Sequence, residues 1–176
     1  MSRHPAKTPP PPLNAERMRG LALHYVGKYA TSQAKLASYL RRKINERGWD
    51  DASGPDVDAL TERLCELGYI NDAQFAEARS RTLVRRGFGK RRLDDDLRAA
   101  GIAEQDRVNA REEADRSRFA AAENFARRKR IGPFAKEAAP PEKRQKQLRA
   151  FLRAGHAFDL AKRFVYADPE EVIEGL

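Results

Sequence analysis

The chain has 176 residues, with 35 Lys and Arg against 26 Asp and Glu, a formal net charge of +9 and 40% apolar residues. That is about one domain's length, and the surplus of cations points to a negatively charged partner. No stretch approaches the roughly 18 apolar residues of a membrane span, and no apolar run opens the chain as a secretory signal would. Cys65 is the only cysteine, which excludes an internal disulfide or a Cys-based metal cluster, and His4, His24 and His156 are too scattered for a zinc site. The expectation is a soluble, cytoplasmic protein with no membrane association.

Residues 1–14 hold five prolines and almost nothing to bury, which predicts a disordered tail whose removal leaves thermal stability nearly unchanged. Met18, Leu21, Ala22, Tyr25, Val26 and Tyr29 then share one helix face. Thr31 is placed to cap a second helix, with Leu36, Leu40 and Ile44 inward and Gly48 as its stop. After a loop at 50–54, Pro55 opens a third helix carrying Val57, Leu60, Leu64 and Leu67, ended by Gly68. Asn71 and Gln74 have the spacing of a capping box before a helix with Phe75, Ala76, Leu83 and Val84 on its apolar side. Gly87-Phe88-Gly89 breaks that helix ahead of another over Lys90–Ala100. From Glu104 to Arg118 no breaker stands out, so two helices run together there. Phe119, Ala122, Phe125 and Ala126 mark a further helix, and a loop at Gly132–Pro141 precedes one over Lys143–Ala154. Asp168-Pro169-Glu170-Glu171 reads as a helix start and predicts a short acidic C-terminal helix over 168–176.

Three of these helix ends are alike. Ile44, Leu97 and Phe151 each stand four residues before a glycine, and Gly48, Gly101 and Gly155 follow at intervals of 53 and 54 residues. The period predicts an all-α fold of three tandem three-helix repeats, at 15–68, 69–114 and 115–167, stacked into an elongated curved array.

Catalytic and cofactor chemistry finds no foothold. Gly87-Phe88-Gly89 lacks the strand and third glycine of a dinucleotide loop. Asp94, Asp95 and Asp96 point 100° apart on a helix and cannot converge on a metal, so they read as a solvated acidic face. Cys65 reads as a buried small side chain, His24 as structural, and His156, just after a helix-ending glycine, as a cation favoured by the helix dipole. The expectation is a non-enzymatic protein without cofactor or metal. Charge is more telling: residues 79–98 carry a net +5 and residues 127–153 a net +8. Arginine predominates in both, which suits bidentate contacts to phosphate or carboxylate. Arg127-Arg128-Lys129-Arg130 has only Glu123 nearby as an intrahelical counter-charge.

The run Leu64-Cys65-Glu66-Leu67-Gly68-Tyr69-Ile70-Asn71-Asp72-Ala73-Gln74-Phe75-Ala76 resembles the signature of the bacterial RecX family. The likeness continues through Arg81, Gly87-Phe88-Gly89-Lys90-Arg91-Arg92-Leu93, Leu97 and Gly101-Ile102, and Ala34-Lys35-Leu36 through Arg47-Gly48-Trp49 is similar to the family's first repeat. It covers roughly residues 17–166 and departs at Arg79, where an aromatic residue is common, at Asn71, where Asp is usual, and across the third repeat, which matches loosely. The resemblance implies three tandem three-helix units and a modulator of the RecA recombinase. Such a modulator binds the RecA–single-stranded-DNA filament and restrains its ATPase, strand exchange and coprotease activities, so regulating recombinational repair and the SOS response. The expected contact residues are Arg81, Arg85, Arg86, Lys90, Arg91, Arg92, Arg127, Arg128, Lys129 and Arg130. Single-stranded DNA would be met directly or through RecA, by a monomer. A helix-turn-helix-like DNA-binding regulator is the alternative, although Asp94-Asp95-Asp96 would repel phosphates from its reading helix.

Overall fold

The computed structural model describes residues 10–175, so residues 1–9 of the expected tail and Leu176 lie outside the described residues. The described chain forms nine α-helices: α1 (Ala15–Lys28), α2 (Gln33–Arg47), α3 (Val57–Glu66), α4 (Asp72–Arg85), α5 (Lys90–Ala99), α6 (Val108–Arg116), α7 (Arg118–Lys129), α8 (Pro141–Arg153) and α9 (Phe158–Tyr166). One-turn 3-10 segments stand at Gln105–Arg107 and Gly132–Phe134. Among the described residues, the isolated β pairing is a single parallel bridge between Leu13 and Trp49. No helix there is long and apolar enough to cross a membrane. The chain divides into two compact units between Asn71 and Asp72.

In the first unit α1–α3 enclose Met18, Ala22, Leu36, Leu40, Val57 and Leu64. Short polar side chains start each helix by accepting an otherwise orphaned N–H. Asn14 Oδ1 accepts from Arg17 N–H at 2.9 Å, Ser32 Oγ from Lys35 N–H at 3.3 Å and Asp56 Oδ1 from Ala59 N–H at 2.9 Å. The second helix is therefore capped by Ser32 rather than Thr31, and the third opens at Val57 behind Asp56 rather than at Pro55. The end of the expected tail also belongs to this unit. Leu13 is fully buried, its N–H donates to the Gly48 carbonyl at 3.0 Å and its own carbonyl accepts from Asp50 N–H at 2.7 Å. Cutting at residue 14 would remove a core side chain and both bonds, contrary to the expectation of unchanged stability.

The second unit contains two cores. Ala76, Leu83, Leu93, Leu97, Ile102 and Ala110 fill one, within α4–α6. Phe125, Ile131, Phe151, Leu160, Phe164 and Val165 fill the other, within α7–α9, and Phe88 packs against both. The helices α6 and α7 are separated by Ser117 alone, which keeps near-helical torsions (φ −94°, ψ 9°); this is why no breaker is visible in that stretch.

The repeated glycines end helices as the period predicts, with one difference. Gly101 (φ 71°) and Gly155 (φ 91°) each follow the last helical residue by two and close a reciprocal pair of hydrogen bonds. Gly101 N–H donates to Arg98 O and Ile102 N–H to Leu97 O; Gly155 N–H donates to Leu152 O and His156 N–H to Phe151 O. By contrast α2 runs one residue further and Gly48 itself caps it, its N–H on Ile44 O at 2.8 Å. Leu97 and Phe151 are fully buried, whereas Ile44 is half-buried.

No helix forms over residues 168–175. Glu170 takes a left-handed conformation (φ 66°), which a helix cannot propagate. Its N–H donates to the Pro133 carbonyl at 3.1 Å, and the Glu171 carboxylate accepts from Asp168 N–H at 2.8 Å. The bond to Pro133 is tertiary and holds the segment extended, and Arg163 holds it further by donating to the Glu174 carbonyl at 2.6 Å.

Candidate nucleic-acid interface

The loop between α4 and α5 is the centre of the basic surface. Gly87 (φ 73°) ends α4, and a Cβ there would lie 2.6 Å from Phe125 N; a Cβ on Gly89 would lie 2.3 Å from the Gly155 carbonyl oxygen. Only glycines allow this approach. It lets Gly89 N–H donate to Ala154 O at 2.9 Å and Arg91 N–H to Gly155 O at 3.2 Å, which ties the start of α5 to the α8–α9 turn. Phe88 is thereby held between two cores with its ring half-buried.

Three guanidiniums gather on that ring. The central carbons of Arg86, Arg92 and Arg128 lie 5.6, 5.9 and 5.7 Å from its centroid. Arg86 comes from the end of α4, Arg92 from the first turn of α5 and Arg128 from the last turn of α7. Arg128 also donates through Nη1 to the Arg86 carbonyl, a favourable place for a cation at the negative end of α4. Each exposed cation–π contact contributes about 0.5–1 kcal/mol, similar to the repulsion between two solvated unit charges a few Å apart, about 1 kcal/mol. The cluster holds together without a counter-ion and has everything to gain from one. None of the three has a carboxylate partner among the described residues, nor do Arg85, Arg91, Lys129 and Arg130. Arg130 adopts the left-handed conformation (φ 54°) that glycine usually fills after a helix.

The remaining expected contact residues are engaged elsewhere. Arg81 lies 3.9 Å from Glu77 and 4.0 Å from Glu113, Lys90 pairs with Asp115 at 3.0 Å, and Arg127 pairs with Glu123 at 2.8 Å. Arg91 faces away from Phe88 into a cleft of about 510 Å³ that Lys90, Arg118 and Phe158 also line.

The acidic run beside them is not a solvated face. Asp96 accepts two hydrogen bonds from Arg79, at 2.5 and 2.8 Å, and Asp94 accepts from Arg111. Both carboxylates are largely shielded, and the hydrogen bonds to Asp96 and to Asp94 raise the pKa values of Arg79 and Arg111 respectively. Asp95 alone is exposed, 3.3 Å from Arg98. Asp96 and Asp94 are thus neutralised by arginines of α4 and α6 and Asp95 faces Arg98 of its own helix, which leaves Arg86 and Arg92 without a carboxylate partner among the described residues. The departure at Arg79 has its reason here. Among the described residues no group of three or more His, Cys, Asp or Glu side chains is placed to hold a metal.

His156 braces the same loop. It is buried, and since a carbonyl only accepts, its Nε2–H donates to Gly87 O at 3.1 Å. Burial holds its pKa below 6.5, outweighing the opposing effect of that hydrogen bond. Folding therefore favours the neutral ring, and this contribution is complete above pH 6.5 and lost as the pH falls through the folded value. Urea unfolding followed by circular dichroism should show wild-type stability dropping between pH 7 and pH 5, by at most about 1.4 kcal/mol per pH unit. In His156→Gln, which can still donate to Gly87, that part of the slope should vanish; an unchanged slope would assign it to other groups.

Phe88 is absent from the contact residues expected from sequence. Its signal was an aromatic residue between two glycines inside a basic stretch.

Residues 71–110 match the family model for the second three-helix domain of RecX. The chain is 30% identical over 165 residues to the regulatory protein RecX of Myxococcus xanthus, covering 86% of each, and 29% identical over 158 residues to that of Agrobacterium fabrum, covering 87% and 84%. Its fold is similar to the crystal structure of RecX from Lactobacillus salivarius, with a TM-score of 0.60 at 18% identity over 85% of this chain and 93% of that one. A second RecX crystal structure gives a TM-score of 0.65 at 17% identity. With a relative at this identity aligned across nearly its whole length, and the same helical fold, the chain belongs to the RecX family of regulatory proteins.

Proposed function

We propose that this protein regulates a RecA-type recombinase in the cytoplasm by binding, as a monomer, the filament that RecA forms on single-stranded DNA and slowing its ATP hydrolysis. Recombinational repair and the SOS response are the processes it would restrain. The observation that carries this reading is the convergence of Arg86, Arg92 and Arg128 on Phe88, three guanidiniums without a carboxylate partner among the described residues, in a protein of the RecX family. Guanidiniums presented together suit the phosphates of bound DNA or acidic side chains of the filament. Arg85, Lys129 and Arg130 extend the same charge, whereas Arg91 lines a separate cleft and Arg81, Lys90 and Arg127 contribute less because each already faces a carboxylate.

The test is RecA ATPase on poly-dT with purified protein at two salt concentrations. Arg86, Arg92 and Arg128 changed together to Glu should abolish inhibition while helix content stays intact, since exposed charges contribute little to folding. Rising salt should weaken inhibition by the wild type as counterion release is lost. A folded triple variant that inhibits as well as wild type removes the basic surface from the mechanism. A wild type without effect on RecA at any ratio, or one that instead protects a single duplex sequence in footprinting, overturns the regulatory reading.

A further inference from the structure

The first unit carries an aromatic surface that its own packing does not explain. Tyr25 of α1, Tyr29 just past its end and Tyr39 of α2 form a contiguous row, the Tyr25 and Tyr39 rings stacked at 4.4 Å and 28° and the Tyr25 and Tyr29 rings tilted at 5.1 Å and 52°. These are three of the chain's five tyrosines. Tyr25 and Tyr39 pack on the core of α1–α3, but Tyr29 extends the row outward and is 49% exposed. Cations flank the row: Lys28 Nζ is 5.4 Å from the Tyr29 centroid, and Arg42 and Lys43 are 5.7 and 5.9 Å from that of Tyr39. Lys28 has no carboxylate partner among the described residues; Arg42 and Lys43 share Glu46.

We propose that Tyr29, backed by Tyr25 and Tyr39, is a stacking platform for an unpaired base of single-stranded nucleic acid, with Lys28 and Arg42 on the adjoining phosphates. A half-exposed tyrosine with a cation over its ring fits a ligand that joins a flat aromatic ring to a negative charge, and a nucleotide is that ligand. Bases in a duplex have their faces covered by neighbours, so the platform selects single strands. It differs from the Phe88 cluster in carrying one cation on its outermost ring in place of three guanidiniums.

The proposal rests on the reading that the protein engages single-stranded DNA, and it is separable from RecA regulation. The experiment measures equilibrium binding of fluorescein-labelled oligo-dT and of an abasic oligomer of the same length, with full-length wild type, Tyr29→Leu and Tyr29→Phe. Wild type should prefer oligo-dT by roughly tenfold, the size of one base–aromatic stack. Tyr29→Leu, which keeps apolar area without a π-face, should lose that preference while binding the abasic oligomer as before, and Tyr29→Phe should restore it. A wild type with no preference, or a Tyr29→Leu variant that retains it, overturns the platform. So does a variant that binds oligo-dT normally yet has lost affinity for the RecA filament, since the row would then meet protein. If wild type leaves RecA untouched while Tyr29→Leu loses the base preference, the platform stands and the regulatory reading falls.

Discussion

Gly155→Ala is expected to destabilise the second unit by about 2–5 kcal/mol, from left-handed strain and a forced contact together. Gly155 sits at φ 91°, and a Cβ there would meet Arg92 N at 2.3 Å and the Arg92 Cβ at 2.7 Å. Those atoms belong to the first turn of α5, which cannot retreat without breaking the bonds from Gly89 N–H to Ala154 O and from Arg91 N–H to Gly155 O. Gly68→Ala is the control. It carries similar strain at φ 75°, but nothing lies within 4 Å of its added Cβ, so it should cost only the strain, about 1–2 kcal/mol. Urea unfolding by far-ultraviolet circular dichroism separates the two. Equal losses would mean that the contact between α5 and the α8–α9 turn relaxes freely. If that contact holds, Gly155→Ala also displaces Arg92 from Phe88, so on the proposed function a folded fraction should slow RecA less well.

Leu97→Ala is expected to cost about 2–5 kcal/mol, the range for removing a buried leucine and leaving part of its space empty. Leu97 is fully enclosed by Leu83, Leu93, Ile102 and Ala110, and its carbonyl accepts the Ile102 N–H that closes α5. Ile44→Ala, at the same distance from its glycine, should cost about 1–2 kcal/mol, because that side chain is only partly buried. The same unfolding assay compares them. A loss at Ile44 as large as at Leu97 would show that the helix ends are equivalent in depth as well as in spacing.

The ladder of helices was legible because each signal was local. Apolar residues at three- and four-residue spacing marked the inner faces, and Gly48, Gly68, Gly87, Gly101 and Gly155 all fall where a chain must turn with positive φ. The misplaced features are those in which a distant group competes with a local one. Asp168-Pro169 is a sound helix start in isolation, yet Pro133 and Arg163 take its backbone groups first. Leu13 has polyproline before it and looked like tail, but Gly48 and Trp49 offer it a backbone edge and a core. In the candidate site, sequence located the two basic stretches but had no means of ranking their members. A carboxylate four residues away is visible, as Glu123 was for Arg127. One from another helix, such as Asp115 for Lys90 or Asp96 for Arg79, is not.

What the sequence determined by itself is therefore the all-α class, the 53- and 54-residue period of helix-ending glycines, the location of the positive charge and the resemblance to RecX, since these depend on residue type and short spacing. Tertiary structure alone decided which charges remain available. Only when Gly87, Gly89 and Gly155 bring backbones into contact does Phe88 reach both cores, and only then does Arg128, distant in the chain, share one ring with Arg86 and Arg92. The physical reason is that charge is counted along a chain but neutralised across space: Asp96 and Asp94 of α5 are taken by arginines on α4 and α6, and the arginines around Phe88 are left without a carboxylate partner among the described residues.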